Sequence, residues 1–126
     1  MKPIFITVPL LTLMVAPSFA QQLKIPEAML GTWCYAGDKG EFVPLSAAPL
    51  NSNGVPDCRN ADETLFVDRK GYGGHEVSCN AISKIVRRGD VWQGRYRCNK
   101  EWTETVRWQI IKNGTRLKRQ VIQSTQ

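Results

Sequence analysis

Across its 126 residues the chain has a single histidine, no Cys-x-x-Cys pair and, past Met29, no apolar stripe at helical spacing. Structural metal sites draw paired ligands from tight turns, and cysteines separated by 23, 20 and 18 residues offer none, so no metal is expected. The Gly-x-Gly-x-x-Gly spacing is missing. Gly71, Gly73 and Gly74 have no helix after them to supply amide donors, so they read as turn chemistry between strands rather than a phosphate cradle. Neither Gly-x-Ser-x-Gly nor His-Glu-x-x-His occurs. His75 sits beside Glu76 with no nucleophile that sequence can place near it, so no catalytic residue and no cofactor is expected.

One long apolar run is present, and it stands at the start. Lys2 is the positive end, Ile4 to Ala16 the apolar stretch, and Ser18-Phe19-Ala20 supplies small residues at −3 and −1, which together read as a signal peptide over 1–20. Pro9 and Pro17 interrupt the run, and it is short for a bilayer span. No transmembrane segment is expected after cleavage, and the mature chain, 21–126, is long enough for one domain in the periplasm or outside the cell. In that compartment Cys34, Cys58, Cys79 and Cys98 are expected to form two disulfides.

Their pairing follows from a hairpin. Cys79 and Cys98 are equidistant from the centre of Arg87-Arg88-Gly89-Asp90, a polar turn between two alternating runs. Folding there sets Cys79 against Cys98 and leaves Cys34 to Cys58. It also turns Cys79, Ala81, Ile85, Trp92 and Tyr96 to one face, with Lys84, Gln93, Arg95 and Arg97 on the other. A second hairpin turns at Asn113-Gly114, with Val106, Trp108, Ile110, Leu117 and Val121 inward and Arg119 opposite Trp108. An inward arginine is either stacked on an aromatic ring as a plug or left at a frayed sheet end. Upstream, Thr64 to Asp68 and His75 to Val86 form a further pair, Met29 to Ala36 opens the fold, and Gly40 to Leu45 adds a short edge strand inside a long proline-containing loop, 36–62. The sum is an all-β chain: an antiparallel six- to seven-stranded barrel or closed sandwich.

Charge is unevenly shared. Gln21 to Ser83 carries five basic and eight acidic residues, whereas Lys84 to Gln126 carries eleven basic and three acidic. The hairpins turn Lys84, Arg95, Arg97, Arg107, Arg116 and Lys118 away from the tryptophans, which makes them a candidate anion-binding face. An anionic envelope component or an acidic protein fits such a face. Nucleic acid does not, because the aromatic residues lie inward and leave no stacking platform.

Leu30-Gly31-Thr32-Trp33 resembles the opening of calycin-type, lipocalin-like barrels, which begin on a Gly-x-Trp strand and often close with a basic residue packed on that tryptophan; Arg119 or Arg116 matches it. Within that superfamily the length, export signal and Leu23-Lys24-Ile25-Pro26 resemble small periplasmic inhibitors of secreted metalloproteases, and the chain also resembles small exported proteins of alphaproteobacteria. The resemblance implies a protease as partner and an inhibitory mature N-terminus at Gln21, Gln22 and Leu23. It departs from that family in having four cysteines rather than two, and in the 36–62 loop.

Overall fold

The computed structural model describes residues 24–37 and 39–126; residues 1–20, read above as a signal segment, Gln21–Leu23, read as the mature start, and Asp38 lie outside the described residues. Nine strands follow one another: β1 (Gly31–Tyr35), β2 (Glu41–Pro44), β3 (Thr64–Val67), β4 (Gly71–Gly74), β5 (Val77–Ala81), β6 (Val86–Arg88), β7 (Val91–Cys98), β8 (Trp102–Ile111) and β9 (Arg116–Thr125). They form one antiparallel sheet in the order β5-β4-β3-β1-β2-β9-β8-β7-β6, and a further β5–β7 pairing closes eight of them into a barrel with β6 as an extra strand.

The expected all-β barrel is therefore present, but six or seven strands is an undercount, for local reasons. The glycine-rich segment read as a turn is itself β4, paired with β3 and β5. Its glycines answer to crowding: a Cβ on Gly71 would collide with the carbonyl oxygen of Cys79 across the ladder. The 75–86 run divides into β5 and β6, which share one edge of β7. Ala81 faces Tyr96 and Val86 faces Gln93, so the four residues between them face only Gly94 and Arg95. That bulge moves the turn one residue on, from a centre at Arg88 and Gly89 to Gly89-Asp90, where Gly89 takes φ 64°. It also leaves Ala81, expected inward, exposed.

Nor is β2 an edge strand: it is wedged between β1 and β9 and closes the barrel there. The rest of 36–62 is held by a small cluster of its own. Cys34 and Cys58, with Ala48, Val43 and Leu45, pack together, while Asn51 Oδ1 accepts from the amides of Asn53 (2.8 Å) and Val55 (3.1 Å).

Alternation along β7, β8 and β9 sorts residues between two faces. Inward lie Tyr96, Cys98, Val106, Trp108 and Leu117, joined by Met29, Trp33, Leu65, Val67, Tyr72 and Ile85. These side chains form one contiguous core cluster. Tyr72, Tyr96 and Trp108 meet edge to face with centroids 4.9, 5.2 and 6.3 Å apart, and Trp108 Nε1 donates to the Tyr96 hydroxyl at 2.9 Å. Val121, expected inward, is 39% exposed, because it lies at the bulge between Thr105 and Val106 and beyond the end of β2.

Cys79 is joined to Cys98, its direct cross-strand partner, and Cys34 to Cys58. Non-reducing peptide mapping of the purified protein is expected to recover these two linked pairs. A Cys34–Cys98 peptide would contradict the β5–β7 register that closes the barrel.

Candidate basic face and barrel mouth

The outer face of β6–β9 is built by register. Directly opposed residues share a face, so one row runs Val86, Gln93, Arg107, Gln120 and the next runs Arg88, Val91, Gln109, Lys118. These eight residues line a groove of about 480 Å³. Along β7 the same face continues to Arg95, opposite Thr105, and Arg97, opposite Thr103. Arg107 Nε donates to Gln93 Oε1 at 2.9 Å, Gln109 Nε2 to Asp90 Oδ2 at 3.1 Å, and Arg97 Nη2 to the Lys100 carbonyl at 3.3 Å. Among the described residues no carboxylate lies within ion-pair distance of Arg88, Arg95, Arg97, Arg107 or Lys118.

Of the six cations assigned to this face from sequence, Arg95, Arg97, Arg107 and Lys118 come together on it. Arg116 opens β9, where Nη1 meets Glu41 Oε1 at 2.9 Å, a carboxylate that Lys112 Nζ also approaches at 4.0 Å. Lys84 lies in the bulge between β5 and β6 rather than on a strand. Arg88 was missed, since a turn centred on Arg88 and Gly89 removes it from the sheet. Gly89-Asp90, a two-residue turn with glycine first, was the available signal.

A second polar cluster sits at one end of the barrel. Arg119, opposite Trp108 on β9, lays its guanidinium over Tyr72 at 4.7 Å, the stacked arrangement; the ring beneath it is Tyr72 rather than Trp33. Arg119 Nη2 reaches the Tyr72 hydroxyl (3.3 Å) and Glu104 Oε1 (3.4 Å), the Tyr72 hydroxyl donates to Glu104 Oε1, and Trp102 Nε1 donates to Glu104 Oε2 at 2.9 Å. Arg119 Nε is buried with no acceptor. Burial pushes the Tyr72 hydroxyl far above the usual phenol range, against the lowering pull of Arg119, and burial likewise raises Tyr96.

His75 lies at the rim of the hollow above Tyr72 and Arg119, with Nε2 3.3 Å from Glu76 Oε2 and 4.0 Å from Asp62 Oδ1. The metal-ligating atoms that converge among the described residues belong to Cys79, Cys98 and Glu104. The two sulfurs are joined to each other there, so they offer no thiolate to an ion.

Fold and site together define a closed, antiparallel, disulfide-stapled barrel with an apolar core and a basic groove on its outer wall. No protein-family model matches the chain, nor does any curated protein or solved structure. All four cysteines are paired, a state that oxidising compartments sustain, and among the described residues no helix is long and apolar enough to cross a membrane.

Proposed function

We propose that this is an exported, non-catalytic binding protein whose outer face on β6–β9 holds an anionic component of the cell envelope. The observation that carries the reading is a set of cations without carboxylate partners: Arg88, Arg95, Arg97 and Arg107 share one face, Lys118 continues it across from Glu41, whose carboxylate turns to Arg116, and Arg88, Arg107 and Lys118 line a concave groove. Surfaces that serve solubility alone mix charges of both signs, whereas like charges gathered on one face repel each other until a counter-ion or partner offsets them. Export fits the paired cysteines and the signal segment read over 1–20.

Changing Arg95, Arg97 and Arg107 together to glutamine is expected to weaken binding to phosphatidylglycerol vesicles or lipopolysaccharide at least about tenfold, roughly 1.4 kcal/mol. The melting temperature should barely move, because exposed charges contribute about 0–1 kcal/mol each to folding. Raising salt should release the wild-type protein, as the Debye length shrinks from about 10 Å at 0.1 M to about 3 Å at 1 M. Vesicle sedimentation and thermal melts check both. Salt-insensitive binding, or a large loss of stability in the triple variant, would show that these side chains are not a docking face.

A second reading is inhibition of a protease through the mature N-terminus. It is supported by Gly31-Thr32-Trp33 serving as the opening strand of a closed barrel, with Ile25 and Met29 buried and Lys24 exposed just before them. On this reading the mature protein slows a serralysin-type metalloprotease, and deleting Gln21, Gln22 and Leu23 abolishes that effect without changing the melt. Failure of the intact protein to slow the protease removes this reading for that protease class.

A further inference from the structure

We infer that the groove on β6–β9 takes a linear acidic polysaccharide, a chain of uronate sugars, and this rests on the reading of the face as anion-binding. The groove is concave, so a bilayer plane meets its rim, whereas a single polymer chain can lie along its floor. Its chemistry suits an acidic sugar on both counts. Arg88, Arg107 and Lys118 supply cations for carboxylates, and Gln93, Gln109 and Gln120 supply amides that both donate to and accept from hydroxyls.

The spacing points to a repeating anion. Lys118, Arg107 and Arg95 descend a diagonal, each one strand across and two residues along from the last. With strands about 4.8 Å apart and a rise of about 3.4 Å per residue, each step is roughly 8 Å, so the three cations form a line that an isolated anion cannot satisfy. A polymer carrying a carboxylate on each sugar meets the whole line. No aromatic side chain lines the groove, which takes away the stacking that a single nucleic-acid strand needs.

The test uses the mature protein with oligogalacturonate, with the methyl ester of the same oligomer, and with phosphatidylglycerol vesicles. Two variants change net charge equally: Gln120→Glu inside the groove and Asn53→Asp in the 36–62 loop, both at exposed positions. Calorimetry should show the acid form binding and the methyl ester not binding. Gln120→Glu should weaken that binding at least about tenfold, and Asn53→Asp by less than about twofold. Vesicle binding, which meets the rim arginines rather than the floor, should be weakened less by Gln120→Glu than oligogalacturonate binding is. Equal loss in the two variants, or equal binding of acid and ester, overturns the inference. Binding to vesicles without binding to oligogalacturonate overturns the polysaccharide while leaving the basic-face reading in place. Binding to neither at low salt overturns both.

Discussion

Replacing Glu104 by leucine is expected to destabilise the protein by about 3–5 kcal/mol, because it leaves an arginine uncompensated inside the barrel end. The Glu104 carboxylate accepts from Arg119, from the Tyr72 hydroxyl and from Trp102, and the Arg119 and Glu104 side chains are only 25% and 14% exposed. With the carboxylate gone, Arg119 keeps only the Tyr72 ring and hydroxyl, and its Nε already lacks an acceptor. Replacing Glu104 with leucine and Arg119 with methionine together should recover most of the loss, since an apolar pair removes the charge and its partner at once. Urea unfolding of the two single variants and the double variant measures the coupling. Additive losses would mean that the pair does not act as a unit.

Alkali should unfold this protein steeply from about pH 10, the ordinary tyrosine value. Tyr72 and Tyr96 are buried, and their folded-state pKa values are raised. Above the unfolded value the unfolded chain releases phenolic protons that the folded chain still holds. The folded state then binds more protons, and stability falls as pH rises; below about pH 10 the contribution is fully present. Each such group adds a slope of about 1.4 kcal/mol per pH unit, so the pair adds about twice that until the folded values are reached. Tyr72→Phe keeps the ring under Arg119 but should remove one of the two protons from the slope. Urea midpoints across a pH series test this by slope alone, apart from the hydrogen bond that the variant also loses. An unchanged slope would mean that Tyr72 ionises as readily folded as unfolded.

The second half of the barrel was legible because period-two alternation there is strong and Asn113-Gly114 marks its turn. Arg119 falls opposite Trp108, and Cys79 opposite Cys98, as counting along the hairpins requires. The first half was less so. Gly71–Gly74 has neither β propensity nor alternation, and its glycines answer to the Cys79 carbonyl, a neighbour that only the folded sheet supplies. Pro44 ends β2, which disguised a barrel-closing strand as an edge. The basic face was readable wherever strand register set it, at Arg95, Arg97, Arg107 and Lys118. It failed at the bulge, which hid Arg88 and displaced Lys84, and at Arg116, whose partner Glu41 comes from a strand 75 residues away in sequence. The Tyr72–Glu104–Arg119 cluster gathers three strands, and no local pattern announces it.

The most direct measurement is a chemical-shift map of residues 21–126 titrated with tripolyphosphate, a simple polyanion. Binding at the proposed face predicts that shifts concentrate on Val86–Arg88, Val91–Arg97, Thr103–Gln109 and Lys118–Gln123, and that they fade as salt is raised. Shifts concentrated instead around His75, Tyr72 and Arg119, or spread evenly over the exposed lysines, would contradict it.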